Sequence, residues 1–138
     1  MTRELVLRLD GVTAVARLNE ERAPATCGRI WDGLPIDETA HNLRWGGRAL
    51  WLHVRSLQAD PYEFEDRVTA YERGMLAYRP HGAEIVVAYG PSQARDGKRT
   101  ADWATPFAWL TENADAFLAA AARVRHTGAQ RLTIERKP

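Results

Sequence analysis

Four residues between positions 41 and 51, His41, Arg44, Trp45 and Trp51, have side chains suited to holding a small polar molecule. An arginine grips a carboxylate through two parallel N–H donors, and imidazole or indole rings beside it supply a flat apolar wall. The chemistry this predicts is binding of a small organic acid or amide at a bend between strands. The same residues also fit a plainer role, with Trp45 and Trp51 as core filler and Arg44 stacked over an indole at the surface. Three more side chains join the candidate ligand-binding set. Glu84 opens the apolar run Glu84–Tyr89, where it could accept a ligand N–H or act as a base once burial raised its pKa. Its plainer reading is a strand-end carboxylate paired with an arginine such as Arg79. Tyr78 and Tyr89 are placed as rim residues of a barrel mouth, with sheet packing as the alternative.

No catalytic residue is assigned. Cys27 falls among Ile30 and Trp31 on an apolar face, so it reads as a buried, inert thiol and not a nucleophile. The four histidines, His41, His53, His81 and His126, are scattered without a ligand spacing, and His126 suits a helix C-terminus as a cation. No metal and no cofactor is implied; His41 or His53 with Glu84 is the one combination that could hold a metal. The chain also lacks Gly-x-Ser-x-Gly, a phosphate-binding Gly-Lys-Ser/Thr loop and a dinucleotide fingerprint, which argues against the commonest hydrolase, nucleotidase and dehydrogenase classes.

The elements that must position these side chains follow from periodicity. Leu5, Leu7 and Leu9 alternate over 4–9, Asp10-Gly11 follows, and 12–18 is again β-forming, which predicts a hairpin on a type I′ turn. Ala23, Cys27, Ile30, Trp31 and Leu34 share one face of a helix that begins near Pro24 and ends at Gly33 and Pro35. Thr26 and Arg29 are expected outward, and Gly28 is expected to permit close packing. Residues 48–55 form a strand with Leu50, Leu52 and Val54 on one face and Ala49, Trp51 and His53 on the other. Both faces are mostly apolar, as in a closed barrel also covered outside by a helix. Asp60-Pro61 marks a loop. Short strands follow at 67–71 and 75–78, with Gly74 between them, then a strand at 84–89. Residues 91–106 are rich in breakers and predict a long mobile loop. A strand at 107–110 precedes a helix capped by Asn113, with Phe117, Leu118, Ala121 and Val124 inward and a stop at Gly128. Residues 130–135 close the chain as a strand. The fold class is mainly β, a closed antiparallel barrel capped by two helices in one domain over 1–138; a half-open β-roll is the nearest competitor.

Several of these stretches carry a resemblance. Ala23-Pro24-Ala25-Thr26, Trp31, Leu34-Pro35, Ala40-His41, Arg44-Trp45, Gly47, Ala49 and Trp51, then Gly74, Tyr78, Pro80 and Glu84–Gly90, resemble a family of small bacterial and archaeal proteins of unknown function. Residues 130–135 are similar to its closing strand. The resemblance implies a cyclophilin-like fold and says little of chemistry, because similar barrels serve unrelated tasks. Peptidyl-prolyl isomerisation is the alternative activity, since Arg44 stands beside an aromatic residue, but the surrounding isomerase motif is absent and its residues are not carried over. A third reading, from a different class, is an accessory or assembly subunit, in which five tryptophans hint at an apolar interface and a homo-oligomer.

Composition bounds these readings. The chain has 138 residues, 45% of them hydrophobic and 27% charged, enough to build one core. Nineteen basic and eighteen acidic residues leave a net charge of +1, without the concentrated positive field that nucleic-acid backbones require. The basic group Arg95, Lys98 and Arg99 reads as a solvated loop. A single cysteine excludes an intrachain disulfide, and no apolar run approaches the ~20 residues of a membrane helix. With no signal-peptide pattern at the first residues, the expected setting is cytoplasmic, and the expected partner is a small-molecule ligand, not nucleic acid or membrane.

Overall fold

A computed structural model of the chain describes residues 2–58, 64–95 and 102–138, with the backbone alone at 81. β1 (Glu4–Leu9) and β2 (Val12–Leu18) form the expected hairpin. Asp10 (φ 49°) and Gly11 (φ 75°) both occupy the left-handed region that a type I′ turn demands. The alternating leucines of β1 point to one side and are buried.

α1 (Pro24–Asp32) begins on its proline and buries Ala23, Cys27 and Ile30, with Trp31 and Leu34 packed at the margin of the same cluster. Its N-cap residue, Ala23, has no side-chain acceptor for the orphan amides of the first turn. Glu65 supplies one from a distant segment: its carboxylate accepts the backbone N–H of Thr26 at 2.7 Å and that of Ala25 at 3.2 Å. Two expectations are thereby corrected. Thr26 is buried at this contact instead of facing outward. A side chain at Gly28 would meet nothing within 4 Å, so no close approach requires a glycine there.

Glu65→Ala is expected to lower stability by about 1 kcal/mol, as for the loss of a helix cap. Burial pushes the Glu65 carboxyl up, but the Thr26 and Ala25 amides and the Arg29 charge outweigh burial and hold it below its ordinary value. The contribution is therefore full above the unfolded carboxyl's range, near pH ~4.3, and is lost as pH falls through the lower folded value. Urea midpoints of the two proteins should separate at pH 7 and converge on acidification. A gap that persists in acid would show that the carboxylate is not its source.

The remaining elements are β3 (Ile36–Asn42), β4 (Gly47–His53), β5 (Ala70–Tyr71), β6 (Met75–Arg79), β7 (Glu84–Gln93), β8 (Thr105–Glu112), α2 (Ala114–Thr127) and β9 (Gln130–Arg136). Hydrogen bonding runs β4-β3-β9-β1-β2-β8-β6-β7, all antiparallel, and β7 returns to β4 over the pairs Ala49↔Ala88 to His53↔Glu84. That last ladder closes an eight-stranded barrel, the feature that separates it from a half-open roll. β5 stands outside the ring, paired to the far end of β7 beyond the reach of β6.

Inward side chains fill the barrel completely enough to leave Leu50, Leu52, Leu76, Tyr78, Ile85 and Val87 with no exposure. The two helices join this same cluster from opposite ends. α1 follows β2 and precedes β3 at one end; α2 links β8 to β9 at the other and contributes Phe117, Leu118, Ala120, Ala121 and Val124. Gly128 (φ 95°) ends α2.

Several expected details differ. The outer face of β4 is covered by β5 and its neighbours, not by a helix: Ala49, Ala77, Val86 and Ala88 pack against Tyr71, Met75, Ala94 and Ala104. The strand expected over 67–71 shrinks to β5 plus a bridge from Val68 to Ala104. β7 runs on through Gly90 and Pro91, and β8 starts two residues earlier than expected, so both strands consume part of the predicted loop. Residues 96–101, with Lys98 and Arg99, lie outside the described residues, as does Asp60-Pro61. Asn113 holds the N-cap position of α2, but at φ 57° its side chain caps nothing; its amide donates to the Thr13 carbonyl at 2.7 Å and ties the helix to β2. No helix among the described residues is long and apolar enough to cross a membrane.

Candidate functional site

A concavity of about 420 Å³ lies where the β3–β4 turn meets the end of α2, lined by His41, Asn42, Arg44, Trp51, Val124, Arg125, Gly128 and Ala129. Alternation along β3 sends Ala40 and Asn42 towards the barrel and His41 outward, and His41 stands opposite Trp51 on β4. The two rings stack with centroids 4.8 Å apart and planes inclined by 28°. The turn that carries Arg44 is pressed against β7: Gln93 donates its N–H to the Gly46 carbonyl at 2.7 Å, and a side chain at Gly46 would collide with the Gln93 carbonyl and Leu43. Gly47 follows at φ 114°, a conformation that favours glycine. These two glycines fix the direction in which Arg44 and Trp45 leave the sheet.

The barrel mouth lies beside the concavity. The Tyr89 hydroxyl donates to Asn42 Oδ1 at 2.6 Å, and the Asn42 amide donates to the Leu43 carbonyl at 3.0 Å. Burial pushes the Tyr89 phenol above its ordinary value, against the opposing charges of Arg125 and Arg48, so at neutral pH it is a donor already committed to Asn42. Arg48 lies over Gly90, whose missing side chain makes room for it.

Three arginines, Arg44, Arg48 and Arg125, stand at this end of the molecule. Arg3, Arg8, Arg22, Arg73, Arg79 and Arg131 each pair with a carboxylate. Among the described residues no acidic side chain pairs with Arg44, Arg48 or Arg125 in this way. Guanidinium groups gathered at a concave surface without counter-charges can hold an anion there.

The seven sequence-derived candidates do not form one site. His41, Arg44 and Trp51 line the concavity, and Tyr89 adjoins it through Asn42. Trp45 sits on the same turn and is 41% exposed. Tyr78 and Glu84 belong to the α1 end. Tyr78 is fully buried inside the barrel and donates to the Leu57 carbonyl, so it is a core residue and not a rim residue. Glu84 faces outward, 3.2 Å from Arg79, in the paired arrangement that its plainer reading described. Arg79 also reaches Asp102 at 2.6 Å. Beside this network the hydroxyl of Tyr71 and Nε of Arg79 are buried without a hydrogen-bond partner among the described residues. Its two carboxylates are nevertheless spent on Arg79, which leaves this end less able to recruit a ligand.

Burial, with Glu20 adding to it, pushes the Cys27 thiol up to about 11, and Sγ donates to the Phe107 carbonyl at 3.3 Å. Such a thiol is protonated and sheltered, unsuited to nucleophilic attack. Among the described residues no group of three or more His, Cys, Asp or Glu side chains could hold a metal ion. Sequence reasoning missed Asn42, Arg48 and Arg125. Arg125 is brought in only by the seating of α2, and neither its spacing nor its neighbours mark it in advance.

The chain matches the family described as "protein of unknown function (DUF3830)" over residues 5–135. No curated protein matches it. Among solved structures, the hypothetical protein AF2241 from Archaeoglobus fulgidus, determined in solution, is similar at 23% identity and a TM-score of 0.68, with 99% of this chain and 95% of that one covered. McbB in complex with tryptophan is similar at 20% identity and a TM-score of 0.75, covering 96% of this chain and 44% of McbB. At such identities both show the fold alone.

Proposed function

Because the chain belongs to DUF3830, a family of unknown function, we propose its role from its own geometry: it binds a small organic carboxylate in the concavity at the α2 end of the barrel. The observation that carries this reading is the set of arginines without acidic partners, Arg44 and Arg125 on the wall and Arg48 at the adjoining mouth. A bidentate guanidinium suits a carboxylate better than a point charge does. The Trp51–His41 stack and Val124 give a planar or apolar ligand body a wall to lie on. The size of the concavity falls within the usual range for small-molecule sites, roughly 300–1,000 Å³. McbB, of which the similar region makes up 44%, was solved in complex with tryptophan, a molecule that carries a carboxylate. We read the barrel itself as cyclophilin-like, supported by its closure and its two end helices, and its setting as cytoplasmic, supported by its single, buried thiol.

Calorimetric titration with benzoate tests the reading, with acetate and benzamide for comparison. Benzoate should bind, benzamide should bind more weakly, and Arg44→Ala or Arg125→Ala should weaken benzoate by about tenfold, the scale of one charge-assisted hydrogen bond. Arg17→Ala, on the exposed face of β2, should leave the affinity unchanged. Equal affinity in wild type and both site variants would remove the arginines from the site and the proposal with them.

A further inference from the structure

The concavity has a second electrical feature that a simple anion does not use. α2 ends there: the Gly128 N–H satisfies the Val124 carbonyl at 2.9 Å, but the carbonyls of Arg125, His126 and Thr127 accept no backbone hydrogen bond among the described residues. Carbonyls of a helix end point along the axis past the last turn and carry the negative pole of the helix dipole. Gly128 and Ala129, immediately past that turn, form part of the wall. Of the three residues with such carbonyls only Arg125 lines the concavity, so a ligand in this place lies against guanidinium donors from Arg44 and Arg125 and beside the carbonyl end of α2. A bare carboxylate satisfies the first and is repelled by the second. A molecule with both charges satisfies both.

We infer that the ligand is a zwitterion of the α-amino-acid class, its carboxylate on the arginines, its ammonium at the carbonyl end of α2, and a planar side chain against Trp51 and His41. This inference rests on the proposed carboxylate site and adds the ammonium and the side-chain wall to it. The nearby groups are consistent with that assignment. Asn42 already spends its amide on the Leu43 carbonyl and its oxygen on Tyr89, so it does not compete for the ammonium. Among the described residues no carboxylate lines the concavity, and the acceptors its wall offers to a cation are the helix end and the His41 imidazole.

Titration of the whole chain with phenylalanine, 3-phenylpropionate and phenylalaninamide separates the parts. Phenylalanine is expected to bind at least tenfold more tightly than 3-phenylpropionate, which lacks only the ammonium, and more tightly than the amide, which lacks the carboxylate. Ala129→Lys, an exposed position beside the helix end, should place a competing ammonium there and abolish the preference while leaving 3-phenylpropionate bound. Should 3-phenylpropionate bind as well as phenylalanine in the wild type, the zwitterion inference fails and the carboxylate site stands. Should neither acid bind, the underlying reading fails too. Tightest binding by the amide would likewise overturn the inference, because the arginines would then repel the ligand.

Discussion

Phe117→Ala should lower the free energy of unfolding by about 3–5 kcal/mol, the usual cost of deleting a buried aromatic side chain. Phe117 has no exposure and belongs to the cluster that α2 shares with the barrel interior. The loss has two sources: the transfer free energy of the ring, and the void left where the barrel wall cannot collapse inward. A hydrogen-bonded ring of strands resists such collapse, which places the expected cost towards the upper part of that range. Against a typical stability of ~5–15 kcal/mol, this is a large share. It should appear as a lowered denaturant midpoint with an unchanged slope. A loss below about 1 kcal/mol would mean that α2 is not seated in the barrel end. The site depends on that seat, because Val124, Arg125, Gly128 and Ala129 reach the concavity only through it.

Arg79→Ala is the second large expected effect, at about 2–3 kcal/mol. Its side chain is 13% exposed and joins Glu84 and Asp102, themselves 25% and 15% exposed. Burial works against the guanidinium charge, but Asp102 and Glu84 outweigh burial and hold Arg79 above its ordinary value. Removing one member of such a network leaves charges facing a poorly hydrated surface, for which ~3–5 kcal/mol is typical when burial is complete. Partial exposure of both acids reduces that figure. The triple variant Arg79→Ala, Glu84→Gln, Asp102→Asn should recover part of the loss, since neutral amides tolerate the same setting. If the triple variant is less stable than Arg79→Ala alone, the cost comes from lost packing of the arginine stem and not from stranded charge.

Features set by neighbouring residues are legible in the sequence. The Asp10-Gly11 hairpin, the start of α1 at Pro24, the inward face of α2 and its stop at Gly128 all depend on residues near one another in the chain. Features that depend on distant partners are not. Glu65 capping α1 in place of a local residue is invisible to spacing, and it is the reason Thr26 is buried. Both faces of β4 read as apolar, but what covers the outer one, β5 with Ala94 and Ala104, comes from segments with weak periodicity of their own. The site divides in the same way. His41, Arg44 and Trp51 are close in sequence and meet in space, whereas Glu84 and Tyr78 share their strand neighbourhood with Tyr89 and yet end on other faces or at the other end. Alternation separates Tyr78 from Arg79 and Glu84, and the length of β7 separates Glu84 from Tyr89.

The place of β9 in the ring bears on how the chain is made. Residues 130–136 lie between β1 and β3, pairing Leu5↔Arg136 on one side and Ile36↔Ile134 on the other. During synthesis, therefore, the first and third strands emerge early and wait with bare backbone edges until residues 130–136 have left the ribosome. The β1–β2 hairpin can form at once, but the cylinder cannot shut. Pairings of such long sequence separation slow folding and leave sticky edges exposed meanwhile. A chain stalled before residue 130 is thus an open sheet with two unmatched borders, one along β1 and one along β3.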